Sequence, residues 1–292
     1  MQIFDKEILI KQNGCNNVDF VGSKIPPSVN IFVKVTNGCN CHCLFCSNAE
    51  SSFSITNFDL PKLLKIVKEM QNQGIGINRI NITGGEPSIV PNLVKEILEE
   101  FNQDNLKNIH IHLNTNGLFP QSQLLMKNQR WNSISVSLHH YDTKKLSEIY
   151  GKEVSEKASN FENIDKNKIN VSCNLIKGYI DSSTEIHKML DFTLSLNIPR
   201  IGFVSLMKIN NFCINHFVDF DDIAFETIPN VYYTNSLNRG SNCKCSNYLY
   251  NKDARILEIY NRNYVNQAYC ESALLFDGLY LRQGFHSENI IY

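Results

Sequence analysis

Three cysteines near the start of the chain have a spacing that suits metal chemistry. An apolar run over residues 31–35 is typical of a buried parallel strand. Soon after it, Cys39, Cys43 and Cys46 follow in the pattern C-x3-C-x2-C. Three thiolates can ligate three irons of a four-iron cluster and leave the fourth iron without a protein ligand. A metal with an open position can bind a small molecule, as catalytic metal sites do.

The same loop also allows a zinc site. Cys41 could supply the fourth thiolate that zinc usually takes. Zinc ligands usually come in paired spacings such as C-x2-C, however, and cysteines two residues apart in a tight loop wrap poorly around one tetrahedral ion. The loop alone therefore favours the open iron–sulfur site over zinc only slightly.

A glycine-rich turn follows the next predicted strand. Residues 80–87 read INITGGEP, so two glycines come directly after a buried strand. Glycines at such a place let the backbone approach a ligand closely. Glu86 and the backbone carbonyls offer acceptors for an ammonium group. Taken alone, the turn would be an ordinary connection between a strand and a helix.

Together, the cysteine loop and the GGEP turn resemble the radical S-adenosylmethionine (SAM) superfamily. The resemblance covers most of residues 31–208 and includes the branch with C-terminal cysteine extensions, to which pyranopterin-forming synthases and peptide maturases belong. Further segments are similar to the family's third to sixth strand ends, namely 114–117 (NTNG), 135–138 (SVSL), 176–178 (IKG) and 203–207 (FVSLM).

The resemblance implies that Cys39, Cys43 and Cys46 bind a [4Fe–4S] cluster whose fourth iron chelates the amino and carboxylate groups of SAM. An electron from the cluster, delivered by a donor such as flavodoxin or ferredoxin, would break a sulfonium C–S bond. The 5′-deoxyadenosyl radical would then abstract a hydrogen atom from the substrate. The implied SAM contacts are Gly84, Gly85 and Glu86 at the amino end, Asn114, Ser137 and Asn174 at the carboxylate or ribose, Phe45 near the adenine, and also Lys177 and Met207.

Strand alternation limits two of these assignments. Asn174 and Lys177 have opposite parity on one strand, so at most one points inward unless the strand ends between them. Ser137 and His139 share a face of their strand, so His139 could reach the substrate if Ser137 faces inward. A surface or helix-capping role suits His139 and His140 equally, and neither is assigned a catalytic role.

Alternating strands and helices must position these residues. Parallel β/α units with right-handed crossovers predict an α/β fold, a partial (β/α)6 TIM-like barrel with chemistry at the carboxyl ends of its strands. The predicted strands are 31–35, 79–82, 108–113, 133–138, 169–176 and 200–207, and the predicted helices begin after Asp59 and cover 91–101, 121–127, 143–161 and 183–196. We predict an N-terminal hairpin-like segment at 1–30, the barrel domain at 31–229 and a small, mostly β extension at 230–292.

The extension carries a second group of cysteines, Cys243, Cys245 and Cys270. Similar extensions bind an auxiliary iron–sulfur cluster in several branches of the superfamily. The spacing C-x-C-x24-C departs from the usual patterns, and a fourth ligand would be needed. A second cluster and a packing role therefore both stay open.

The composition of the chain limits its predicted cellular compartment and the classes of its binding partners. The chain has 292 residues, 10 cysteines and a net charge of −1. Cysteines without a secretion signal predict metal or redox chemistry in the reducing cytoplasm. No apolar run is long enough for a membrane span, and no excess of basic residues favours a nucleic-acid partner.

The predicted function is an enzyme that modifies a ribosomally made peptide, because enzymes of that kind often carry C-terminal cluster extensions. A nucleotide or small metabolite is the alternative substrate, as the pyranopterin-type matches indicate. Two other functions stay open: a non-catalytic iron–sulfur or zinc redox module, and an activase of a glycyl-radical partner.

Overall fold

The computed structural model describes residues 2–4, 6–7, 28–48, 57–156, 158–234, 245–262, 273–284 and 289–292. The α-helices are α1 (Leu60–Asn72), α2 (Pro91–Glu100), α3 (Pro120–Met126), α4 (Thr143–Tyr150), α5 (Ser183–Ser195) and α6 (Asn211–Asn215). The strands are β1 (Gln2–Ile3), β2 (Lys6–Glu7), β3 (Ser28–Lys34), β4 (Gly76–Thr83), β5 (Ile111–Thr115), β6 (Ser133–Ser137), β7 (Ile169–Leu175), β8 (Arg200–Ser205), β9 (Val231–Thr234), β10 (Ser246–Lys252), β11 (Arg255–Arg262), β12 (Ala273–Phe276) and β13 (Leu281–Gln283).

One sheet of eleven strands organises the described residues, in the order β13-β12-β3-β4-β5-β6-β7-β8-β11-β10-β9. The strands from β12 to β11 in this order pair in parallel, whereas β13, β10 and β9 add antiparallel partners at the two margins. The six strands of the predicted β/α repeat form the centre of the sheet. The predicted α/β fold is therefore confirmed.

Strands from the predicted C-terminal extension join this sheet on both sides of the repeat. β11 pairs with β8, and β12 pairs with β3. The boundary between residues 229 and 230 stays a prediction. At the other end of the chain, β1 and β2 form a separate short hairpin, whereas most of the predicted 1–30 segment lies outside the described residues.

The two faces of the central strands differ in polarity. Apolar residues such as Ile31, Ile82 and Leu113 are fully buried and join one core cluster with the inward faces of α1 and α2. Their neighbours in sequence, such as Asn81 and His112, are also buried but polar, and strand alternation places them on the opposite face. The helices thus cover one face, and the other face is a polar interior.

Helix α4 is shorter than predicted. The sequence predicts a helix over 143–161, but α4 ends at Tyr150 because Gly151 takes the left-handed conformation, with φ at 58°. The start of α1 follows the prediction: the carboxylate of Asp59 accepts a hydrogen bond from the backbone N–H of Lys62 at 2.9 Å. No α-helix of the described residues is long and apolar enough to span a bilayer.

Gly151 gives a test of how α4 supports the cysteine loop. A Cβ at this position would lie 3.0 Å from the carbonyl oxygen of His42, and the left-handed backbone would cost about 1–2 kcal/mol. Gly151→Ala should therefore lower the free energy of unfolding in urea by more than Gly74→Ala. Gly74 is the matched control, because it has φ at 73° and no atom within 4 Å of such a Cβ. Equal losses in the two variants would show that the contact with His42 is unimportant.

Candidate functional site

The cysteine loop and the GGEP turn lie side by side at the carboxyl ends of β3 and β4, as the sequence predicts. Lys34 and Thr83 are register partners at these ends. Backbone pairing continues beyond the strands: the N–H of Gly85 donates to the oxygen of Thr36 at 2.7 Å, and the N–H of Glu86 donates to Gly38 at 2.8 Å. The turn therefore fixes the chain immediately before Cys39.

The two glycines of the turn make this close approach possible. A Cβ at Gly85 would lie 1.9 Å from the oxygen of Gly38, and a Cβ at Gly84 would lie 2.4 Å from the oxygen of Thr36. Gly84 also has φ at 148°, which L side chains rarely adopt. In this structure the glycines hold the cysteine loop; a contact with SAM stays a prediction.

The carboxylate of Glu86 ties the turn to the end of β5. Its Oε1 accepts hydrogen bonds from the hydroxyl of Thr115 at 2.7 Å and from the N–H of Ser88 at 3.0 Å, and its Oε2 accepts from the N–H of Asn116 at 2.8 Å. Glu86 is only 1% exposed. Its carboxylate therefore joins two strand ends, and a contact of Glu86 with the SAM amino end stays a prediction.

Asn116 extends this network to the cysteine loop. Its Nδ2 donates to Oδ1 of Asn40 at 2.7 Å, and its Oδ1 accepts from the hydroxyl of Ser122 at 2.8 Å. Nδ2 also lies 3.7 Å from the sulfur of Cys41. The sequence predicts Asn114 of the same NTNG segment as a SAM contact, which stays a prediction, and assigns no role to Asn116. Strand alternation places Asn114 and Asn116 on the same side of the chain, but it does not show which of them reaches the cysteine loop.

The four clustered cysteines differ in exposure. Cys41 is buried, whereas Cys39 is exposed and Cys43 and Cys46 are half-buried. Hydrogen bonding from Cys41 lowers the pKa of Cys39 to about 7, while burial raises the pKa of Cys43 to about 12. Metal binding would displace these thiol protons.

Three of the four clustered thiols are compatible with an iron–sulfur cluster. A four-iron cluster needs one thiolate at each of three irons. The three more exposed cysteines are Cys39, Cys43 and Cys46, the ones of the C-x3-C-x2-C pattern, so the donor set fits the cluster that the sequence predicts.

A cavity of about 280 Å³ lies beside Cys46. Four of the predicted SAM contacts line it: Phe45, Gly84, Asn174 and Met207. The other residues of its wall are Lys34, Ser47, Asn48, Thr83, Val204, Ser205, Leu206 and Leu275. The predicted contacts outside this wall are Gly85, Glu86, Asn114, Ser137 and Lys177.

The cavity wall shows that the sheet is curved. It combines Lys34, Thr83 and Leu275 from β3, β4 and β12 with Asn174 and Ser205 from β7 and β8. β5 and β6 separate these two groups of strands in the sheet, so the sheet must bend around the cavity for both groups to reach it. A curved parallel sheet with a cavity at its carboxyl end is the arrangement of a partial barrel.

His139 contacts two residues of the cavity wall without lining the cavity itself. Its ring contacts Phe45 edge-to-face with centroids 4.8 Å apart, and its Nδ1 accepts a hydrogen bond from the N–H of Asn174 at 3.1 Å. Burial lowers the pKa of His139 to about 3, so the ring is neutral. Nδ1 of His140 accepts from the N–H of Asp142 at 2.8 Å, just before α4. Neither histidine lines the cavity.

Other predicted residues lie away from this cavity. Lys177 is exposed and lies beyond the end of β7 at Leu175, so the strand ends between Asn174 and Lys177 and the parity argument does not apply to this pair. A contact of Lys177 with SAM stays a prediction. Cys245 is buried, but Cys243 and Cys270 lie outside the described residues. The auxiliary cluster therefore stays a prediction.

Comparison with known sequences agrees with the predicted resemblance. The family model described as the radical SAM superfamily matches residues 33–193. GTP 3′,8-cyclase of Alkaliphilus oremlandii is 28% identical over 185 residues, which cover 61% of this chain and 56% of that protein. The 7-carboxy-7-deazaguanine synthase of Methanothermobacter thermautotrophicus is 34% identical over 94 residues, which cover 32% of this chain and 34% of that protein.

Two solved structures share the fold. A radical SAM methyltransferase from Sphaerobacter thermophilus has a TM-score of 0.51 at 16% identity, over 67% of this chain and 60% of that chain. Streptococcus suis SuiB bound to precursor peptide SuiA has a TM-score of 0.50 at 18% identity, over 64% of this chain and 41% of that chain. At identities this low, the similarity shows only that the folds are alike.

The ligand assignment can be tested by iron content after anaerobic reconstitution. Cys43→Ala should abolish iron binding by the cysteine loop, because it removes one of the three proposed cluster thiolates. Cys41→Ala is the matched control and should retain most of the iron. Wild-type protein should bind about four irons per chain with one cluster and about eight with two. Equal losses in the two variants would mean that the three ligands are wrongly chosen.

Glu86→Gln tests whether the buried carboxylate joins the strand ends. A glutamine can accept through only one atom, so at least one N–H or hydroxyl would face an NH2 group and lose its partner. We expect a loss of about 2 kcal/mol or more in the free energy of unfolding of the iron-free protein. Glu99→Gln on α2 is the control, since the Glu99 side chain is 63% exposed, and should change this value by less than about 0.5 kcal/mol. Similar values for both variants would contradict the assigned role.

Proposed function

Because the chain belongs to the radical SAM superfamily, we propose that it binds a [4Fe–4S] cluster through Cys39, Cys43 and Cys46 and abstracts a hydrogen atom from a substrate in the cavity beside Cys46. The superfamily is one of enzymes, and its cofactors are a [4Fe–4S] cluster and SAM. One observation carries the proposal: the backbone of the cysteine loop is hydrogen-bonded to the GGEP turn next to that cavity.

The chain's own residues would bind, orient and shield the reactants. Gly84 and Asn174 line the cavity from the ends of β4 and β7 and would offer polar contacts to the reactants, and Phe45 packs against the neutral ring of His139. Held by Cys39, Cys43 and Cys46, the cluster would supply the one-electron reduction that cleaves SAM to methionine and a hydrogen-abstracting 5′-deoxyadenosyl radical. The apolar side chains of the wall, which include Phe45, Leu206 and Met207, would limit the access of water to the reactants.

Two substrate classes are compatible with the site. A ribosomally made peptide is the substrate that the sequence predicts, and SuiB, which is bound to a precursor peptide, shares the fold. A nucleotide or small metabolite is the second candidate. It is supported by sequence relatives named GTP 3′,8-cyclase, although the chain spans only 56% of the length of the relative from Alkaliphilus oremlandii. The electron donor, flavodoxin or ferredoxin, and a cytoplasmic location stay predictions.

Release of 5′-deoxyadenosine tests the proposed reaction. The reconstituted protein, reduced with dithionite under anaerobic conditions, should convert SAM to 5′-deoxyadenosine and methionine in a chromatographic assay. Cys43→Ala should release none, since it lacks a cluster ligand. Iron-loaded, reduced wild-type protein that releases no 5′-deoxyadenosine, even with GTP or a candidate peptide present, would support a non-catalytic redox module instead.

The substrate classes differ in what stimulates this release. Mass spectrometry should find either a product derived from GTP or a mass change in a peptide encoded beside this chain's gene. A rise in 5′-deoxyadenosine with GTP alone or with the peptide alone would identify the substrate class.

A further inference from the structure

A lysine is buried in the wall of the cavity. Lys34 is the last residue of β3 and is only 3% exposed. It lines the cavity together with Cys46, Thr83 and Leu275. Among the described residues of this wall, Lys34 is the only one with a charged side chain. An ammonium group is costly to bury unless an opposite charge stabilises it.

Two groups attract the ammonium of Lys34. One is Asp277, whose Oδ2 also accepts a hydrogen bond from Nε of Arg282 at 2.5 Å and whose Oδ1 accepts from the N–H groups of Leu279 and Tyr280. The other is Cys46, whose thiolate would be bound to iron in the proposed function.

Burial also affects the acid–base chemistry of this lysine. It lowers the pKa of Lys34, and the charges of Asp277 and Cys46 oppose the effect without cancelling it. An anion in the cavity would favour the ammonium form and offset part of the cost of burial.

The position of Lys34 separates it from the assigned SAM contacts. Those assignments comprise Phe45 in the cysteine loop after β3 and residues on or after β4 to β8, from Gly84 to Met207. The wall formed by β12 and β3, with Leu275 and Lys34, has no such assignment. A substrate that enters beside bound SAM would meet this wall.

We propose that Lys34 binds an anionic group of the substrate, a carboxylate or a phosphate, and so selects acidic molecules for the reaction. This inference rests on the proposed function and adds a substrate class to it. Both open candidates can carry such a group: a nucleotide has phosphates, and a peptide has carboxylates.

Binding of simple anions to the iron-loaded protein tests the inference. The probes are GTP and inorganic triphosphate for the phosphate source, and N-acetylglutamate for the carboxylate source, measured by anaerobic calorimetry in phosphate-free buffer with SAM present. Wild-type protein should bind at least one probe. Lys34→Met should weaken that binding at least about tenfold, whereas Lys34→Arg, which keeps the charge, should stay within about threefold.

Further measurements separate the other roles that Lys34 could have. Lys95→Met removes an exposed charge on α2 and should leave the binding of the probe unchanged. Iron content and SAM affinity of Lys34→Met should remain close to wild type. The inference is overturned if wild type binds no probe, if Lys34→Met binds it as well as wild type does, or if SAM affinity falls by the same factor, which would assign Lys34 to the SAM carboxylate.

The proposed function has its own readout. If wild-type protein releases no 5′-deoxyadenosine from SAM, the proposed function fails, whatever the probes do. If wild type releases it and Lys34→Met binds the probe normally, only the assignment of Lys34 fails.

Discussion

Direct backbone contact between two loops is the constraint on which the site depends. The segment before Cys39 and the GGEP turn approach so closely that a Cβ at Gly85 would lie 1.9 Å from the oxygen of Gly38. Only glycine allows this approach, and the hydrogen bonds that it permits fix where the cysteine loop begins. Glu86 and Asn116 then link the turn, the end of β5 and Asn40 in one buried network. The cysteines are thus held from three neighbouring strand ends.

The same arrangement explains how a polar barrel interior can contain reactive chemistry. Hydrogen bonds stabilise buried polar groups, and some of the partners here come from adjacent strands. His139 is an example: its Nδ1 accepts from the backbone of β7 while its ring supports Phe45 at the cavity. Because burial keeps the ring neutral, the wall next to the reactants gains no extra charge from this histidine.

Local sequence patterns predicted most of the β/α repeat, because hydrophobic periodicity and capping residues act over a few positions. Asp59 shows this at the start of α1, where its side chain caps the helix. The end of α4 was predicted too late, since apolar residues continue at near-helical spacing after Gly151, and the sequence does not show that this glycine takes a left-handed conformation. Asn116 was missed for a related reason: which amide of the NTNG segment reaches the cysteine loop depends on tertiary contacts.

The least predictable part of the site is the wall that comes from the far end of the chain. β12 pairs with β3 although the two are at opposite ends of the sequence, and no local pattern encodes that pairing. It brings Leu275 into the cavity and Asp277 close enough to attract Lys34. From the sequence alone, Lys34 is simply one residue of an apolar strand. Its burial makes it the only charged side chain among the described residues of the cavity wall, at a position on β3 that lies outside the superfamily motifs and that packs beside a C-terminal strand.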